Sequence, residues 1–227
     1  NNMGNVAKYG IYNLGTQKFI GIFGQYKGGG GGGTPFANKY SLNFDGVDDY
    51  VDVGVITEIN SASVLTFSFW GKKPISTNYL GIGSLITGTN GIWLSWWSDG
   101  NVYFAPRNGA YSNASFALAH DTNWHHFAGV YDGSIITTDR CILYVDGVKV
   151  ASSLSGVPTS LSATAGNNFQ IGAQNGAYFT GGNIDEVAVF NTAKTGLEIT
   201  DIYNSGTPTD LSALAGLTNW YRNGDNG

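Results

Sequence analysis

Between residues 40 and 190 the chain is written as short runs rich in Val, Ile, Phe, Tyr and Trp, each closed by turn-forming residues. That rhythm is the signature of an antiparallel all-β domain. One hairpin is spelled out in full: Ile142-Leu143-Tyr144-Val145, then Asp146-Gly147, then Val148-Lys149-Val150. Asp-Gly supplies the positive φ angles that a two-residue type I′ turn requires. Asp99-Gly100 plays the same part between the runs 92–97 and 102–104, and a two-residue turn there sets Trp97 opposite Val102 and Trp96 opposite Tyr103. Further strands are read at 64–70 and 124–131. With 34 glycines and only 12% charged residues, the composition suits strands joined by tight turns and argues against a helical bundle.

The flanks read differently. Residues 1–33 carry Gly-punctuated apolar pieces, Tyr9-Gly10-Ile11-Tyr12 and Phe19-Ile20-Gly21-Ile22-Phe23-Gly24, and end in the six glycines 28–33. This is too apolar for a solvated tail and too Gly-rich for a core of its own. It is expected to be an arm on a Gly-rich hinge that docks on another subunit or domain, making a homo-oligomer or an assembly with other surface proteins. A disordered terminus is the alternative. Late in the chain, Thr195-Gly196-Leu197-Glu198 is a capping box and opens a short helix with Ile199, Ile202 and Tyr203 on one face and Gly206 as its stop. The main domain is therefore set at 34–206. Residues 207–227 are set as a C-terminal extension in which 209–216 form a second helical turn and Trp220-Tyr221-Arg222 docks. Gly224-Asp225-Asn226-Gly227 reads as a break.

A net charge of −5 and a pI near 4.9 argue against nucleic acid, whose phosphates need clustered Lys and Arg. No apolar stretch approaches the roughly 18 residues of a membrane span, so no membrane partner is expected. The start, Asn1-Asn2-Met3-Gly4, lacks the features of a secretion signal, so the chain starts after processing or is a segment of something longer. Cys141 has no partner and is expected to be a buried thiol.

Four motifs carry a resemblance. The stretch Ser41-Leu42-Asn43-Phe44-Asp45-Gly46-Val47-Asp48-Asp49-Tyr50-Val51-Asp52-Val53, then Leu65-Thr66-Phe67-Ser68-Phe69-Trp70, then the run from Trp124-His125-His126-Phe127 to Asp132-Gly133, and finally Gly182-Asn183-Ile184-Asp185-Glu186-Val187 with its trailing helix resemble laminin G-like, concanavalin A-like domains. The resemblance implies a two-sheet antiparallel jelly-roll β-sandwich with one short C-terminal helix. It also implies ligand sites on the concave face or rim loops, often assisted by calcium. Members include carbohydrate-binding modules, adhesion domains, pentraxin-like lectins and phage structural proteins. The flanks 1–5 and 217–225 look like segments bordering such domains in marine phage virion proteins. The resemblance further implies a structural Ca2+ held by Asp185, closing against Asp45 and Gly46. Asp48, Asp49 and Asp52 crowd the same region, and the alternative is a plain turn with a solvated acidic loop.

Trp93, Trp96, Trp97 and Tyr103 form the candidate carbohydrate platform, since ring faces stack on the C–H faces of a sugar. Alternation puts Trp93 and Trp97 on one side and Trp96 on the other. The competing account is that most of these rings pack in the core. His125 and His126 are strand neighbours that point to opposite faces and cannot share a metal, and His120 has no ligand at metal spacing. Glu58, Glu186 and Glu198 are too far apart for the paired acids of a glycosidase strand, and alternation sends Asp185 and Glu186 to opposite faces. No catalytic residues and no enzymatic activity are therefore expected. Two functions stay open: a structural protein of a virion or filament whose arm drives assembly, and a glycan-binding adhesin or lectin module. Both place the chain on a virion or outside the cell.

Overall fold

The computed structural model describes residues 8–13, 18–24, 36–74, 79–87, 89–163 and 167–223. Its strands are β1 (Lys8–Asn13), β2 (Lys18–Gly24), β3 (Leu42–Asp45), β4 (Asp49–Asp52), β5 (Val64–Lys72), β6 (Tyr79–Thr87), β7 (Asn90–Trp97), β8 (Asn101–Asn108), β9 (Ala114–Ala117), β10 (His125–Asp132), β11 (Cys141–Val145), β12 (Val148–Ser153), β13 (Phe169–Ile171), β14 (Gly181–Phe190) and β15 (Leu217–Tyr221). One helix, α1 (Gly196–Tyr203), lies between β14 and β15. The first sheet runs β2-β1-β4-β13-β6-β7-β8-β9, and the second runs β12-β11-β10-β5-β14-β15 with β3 also on β14. This is the two-sheet jelly roll with a single short helix.

Alternation along the strands builds the core between the sheets. Ile92, Leu94 and Trp96 of β7 meet Phe67 and Phe69 of β5, Phe127 of β10 and Leu143 of β11. A second apolar layer lies on the far side of the second sheet. There Ala128, Val130, Tyr144, Ala188, Phe190 and Trp220 are covered by Ile199 and Ile202 of α1 and by Leu211. The capping box forms as expected: Glu198 N donates to Thr195 Oγ1, and Thr195 N donates to the Glu198 carboxylate. Asn204, at φ +47°, caps the other end two residues before the expected Gly206. Cys141 is buried.

Asp146-Gly147 forms the expected two-residue turn, with Val145 opposite Val148 and φ of +50° and +76°. Asp99-Gly100 does not. Trp96 lies opposite Val102 and Ser95 opposite Tyr103, so the loop holds three residues, 98–100, and Gly100 takes the left-handed position at φ +78°.

The flank expectations also need correction. Strand β15 pairs with β14 across Val187–Tyr221 to Phe190–Leu217, so the segment after residue 206 completes the second sheet instead of extending from it. Residues 209–216 are irregular, with turns at 212–213 and 215–216, and not a helix. At the other end, β1 and β2 form a hairpin, and β1 pairs with this chain's own β4 from Gly10–Asp52 to Asn13–Asp49. The stretch expected to dock elsewhere thus adds two strands to the first sheet. The glycine hinge 28–33 and the break 224–227 lie outside the described residues.

Candidate functional site

The two sheets treat their outer faces differently. The second is covered by α1 and its following loop, whereas the first carries an open groove of about 570 Å³ across β7 and β8. The odd residues of these strands line it: Trp93, Trp97, Tyr103 and Arg107. They share one face because Ser95 pairs with Tyr103 and Trp93 with Ala105. The loops at 111–113 and 174–178 add Tyr111, Asn113, Gln174, Asn175 and Tyr178.

Glycines on the next strand set the floor. Gly81 and Gly83 of β6 lie opposite Ser95 and Trp93. A Cβ on Gly83 would sit 2.6 Å from the Trp93 Cβ, so only a bare backbone lets the indole lie close to β6. Trp97 Nε1 donates to Ser95 Oγ at 2.8 Å, and its ring lies 5.3 Å from Tyr79 edge to face and 5.0 Å from Tyr178. The Tyr103 hydroxyl donates to Asp99 Oδ2 at 2.7 Å, which lifts the phenol above its ordinary range. Beneath the hairpin tip, fully buried Lys73 donates from Nζ to the carbonyls of Trp97 (2.9 Å) and Trp96 (3.3 Å) and lies 4.6 Å over the Trp96 ring. Burial pulls this ammonium down to about 8.

Of the four expected platform residues, three line the groove and one does not. Trp96 faces inward with no exposed surface, packed on Phe127 and His120. Its even position on β7 makes it core. Tyr111, Arg107 and Tyr178 were not singled out in the sequence. Arg107 was within reach of the alternation rule, whereas Tyr178 is brought in by the sheet order β13-β6-β7.

The expected calcium set is not assembled as proposed. Asp45 pairs with Gly181 and Asp185 with Trp70, and four residues along β14 amount to about 13 Å. Asp185 instead accepts from Asn38 Nδ2 and from Glu186 N, both at 2.8 Å. Asp45, Asp48 and Asp49 do converge, with carboxylate oxygens within 4.8 Å of one another. Three hard oxygen donors on an accessible turn suit a Ca2+ completed by waters. Gly46 supplies the turn, at φ +83° with Gly181 Cα 3.3 Å from where a Cβ would be.

Asp185 and Glu186 also depart from expectation. A bulge in β14 leaves Glu186 at φ +49° and interrupts alternation, so Asn38 Nδ2 reaches both carboxylates at 2.8 Å. The bulge falls where β14 exchanges β3 for β15 as its neighbour. Trp220 Nε1 donates to Glu186 at 2.5 Å, and Arg222 pairs with it at 3.5 Å. Burial raises the Glu186 carboxyl against those bonds. Both acids are buried and together lock the two strand ends.

His125 and His126 point to opposite faces as expected. His125 is hydrogen-bonded through Nδ1 with Asp146 Oδ2 (2.7 Å) and through Nε2 with Asp121 Oδ1 (3.1 Å), and the bond to Asp146 raises its pKa. His126 is buried, 2.8 Å from Ser68 Oγ, and burial pushes it down to about 4.

Residues 45–200 match the sequence profile described as the concanavalin A-like lectin/glucanases superfamily. The chain belongs to this superfamily. No curated protein matches the sequence. Solved structures share the fold at low identity. A candidate carbohydrate binding protein from Bacteroides ovatus aligns with TM-score 0.60 at 19% identity, over 82% of this chain and 52% of that one. Domain 4 of AbnA, an extracellular arabinanase from Geobacillus stearothermophilus, was solved with arabinotriose; it aligns with TM-score 0.56 at 19% identity, over 88% and 100%. Tailspike protein 2 of bacteriophage CBA120 aligns with TM-score 0.58 at 11% identity, over 81% and 29%. The chain thus spans about half of the Bacteroides protein and under a third of the tailspike. No helix among the described residues is long and apolar enough to cross a membrane.

Proposed function

We propose that this superfamily member is a non-enzymatic carbohydrate-binding module, reading glycans along the outer face of its first sheet in an extracellular or virion-surface setting. The observation that carries this is Tyr178. The residue is 57% exposed, its backbone is held at φ +50°, and its ring is set 5.0 Å from that of Trp97 over the groove. A bulky residue in the left-handed region costs about 1–3 kcal/mol, and an exposed ring recovers little of that through burial. Such strain is characteristic of a ligand clamp.

Trp97 and Tyr178 would stack on sugar C–H faces, while Asp99, Asn113, Gln174 and Asn175 offer hydroxyl partners. Asp99 is the one carboxylate among the described lining residues, and glycosidic cleavage by paired acids needs two. This favours binding without hydrolysis. The assembly reading loses its main support now that β1 pairs with β4 of the same chain, although the tailspike similarity fits a virion setting for the same groove.

A glycan array probed with the wild type, Trp97→Ala and Tyr178→Ala tests the proposal. Wild-type hits should weaken about tenfold or more in each variant, as for truncation of an interface anchor. A blank wild-type array, or hits indifferent to both substitutions, would overturn it.

A further inference from the structure

We propose that the groove selects acidic carbohydrates, those bearing a carboxylate or sulfate, and that Arg107 is the residue that reads the acid. This deepens the carbohydrate reading above and rests on it.

Arg107 enters the groove on the same face of β8 as Tyr103. Its guanidinium is held between two rings, 4.3 Å from the centre of Trp93 and 4.7 Å from that of Tyr111. Its Nε donates to the Ser112 carbonyl at 3.1 Å. Stacking occupies the faces of the planar cation, and a guanidinium recognises anions through its in-plane N–H edge, which matches the two oxygens of a carboxylate or sulfate. The fork is oriented before any ligand arrives. Neutral hydroxyl recognition needs no such fixed cation, and Asn113 and Asn175 already supply amides to the same groove.

Magnitudes decide whether the acidic protein repels such a ligand. A carboxylate about 4 Å from Arg107 is attracted even at the dielectric of water, and about four times as strongly at an effective value of 20. Asp99 is the acid at the other end of the groove. Arg107 lies four residues beyond Tyr103, about 13 Å along the strand, which exceeds the Debye length of about 8 Å in physiological salt. Asp99 is also bonded by Tyr103 and faces the Lys73 ammonium. The net charge of −5 acts from farther still. The local attraction wins.

The test uses paired glycans of one backbone with and without the charge: oligogalacturonates against their methyl esters, sulfated against desulfated galactans, and sialylated against asialo oligosaccharides. Affinities are measured for the wild type, Arg107→Gln and Arg107→Lys. In every pair that binds, the wild type should favour the acidic member at least tenfold, and this preference should weaken as NaCl rises from 50 to 300 mM. Arg107→Gln should bring the ratio to about one, and Arg107→Lys, a charge without the fork, should fall between. The backbone showing the largest ratio identifies the source of the acid. A wild-type ratio near one, or a ratio unchanged in Arg107→Gln, overturns the inference and leaves carbohydrate binding intact. Binding to neither member of any pair overturns the inference, and the carbohydrate reading falls with it only where the wild-type glycan array is blank as well. The salt series on the wild type keeps the test valid should Arg107→Gln fail to fold.

Discussion

Gly83→Ala is the sharpest probe of how the groove is built. The added Cβ would lie 2.6 Å from the Ile92 oxygen and the Trp93 Cβ, and 2.8 Å from the Trp93 Cα. Ordinary contact begins at 3.4 Å, so β6 and β7 must part locally by roughly 0.8 Å. No rotamer offers relief, because the obstructing atoms are backbone and a Cβ. A ladder bond near 2.9 Å would stretch to about 3.7 Å, beyond hydrogen-bond range. Overpacking costs about 1–3 kcal/mol and a lost bond about 1, against about 0.5–1 recovered by replacing glycine in a strand. The net loss is about 1–3 kcal/mol. In urea, at a slope of about 2 kcal/mol per molar, the midpoint should fall by about 0.5–1.5 M. Glycan affinity should fall with it, since Trp93 is lifted from its floor. An unchanged midpoint would show that the strands yield without cost, and the account of the groove floor would be wrong.

Two further outcomes are expected. The adjacent histidines should give stability a maximum near pH 6.5. His126 resists protonation down to about 4 in the folded protein but protonates near 6.5 when unfolded, so up to about 3 kcal/mol is lost as pH falls through that window. His125, raised by Asp146, contributes stability that is complete below about 6.5 and is lost as pH rises through its folded pKa. Urea midpoints across pH 4–8 should show both limbs, and His125→Gln should lose only the alkaline one; an alkaline limb that persists in that variant refutes the assignment. For the acidic turn, a thermal melt with Ca2+ against chelator should show a higher midpoint with Ca2+ that Asp48→Asn diminishes, and identical midpoints would remove the cation from Asp45, Asp48 and Asp49.

Much of the fold was legible where a residue's local chemistry decides its structure. Asp146-Gly147 and the Thr195–Glu198 box each depend on neighbours within a few positions. The alternation that put Trp93 and Trp97 together depends only on the strand being a strand. Legibility failed where pairing partners decide. Asp99-Gly100 suits loops of two or three residues, and the register of β7 on β8 chose three. The fate of 217–221 depended on β14, about 30 residues earlier in the chain. Glu186 sits where one long strand changes partners, and the bulge there overrides alternation. Tyr178 meets the groove only because β13 and β6, which are far apart in the chain, are neighbours in the sheet, whereas Tyr111 comes in on the loop between the consecutive strands β8 and β9.

The lock around Glu186 also bears on how the protein carries load. Arg222 lies 4.6 Å over Phe36, bonds the Ala37 carbonyl and stacks beside Trp220, whose ring is 6.2 Å from that of Phe36. Asn38 joins the same knot through both carboxylates. A pull applied at residues 36 and 222 would therefore run straight through this clasp and leave the sandwich slack. The jelly roll would hang beside the line of tension like a bead on a knotted cord, and the grooved face of its first sheet would keep its shape until the knot slipped.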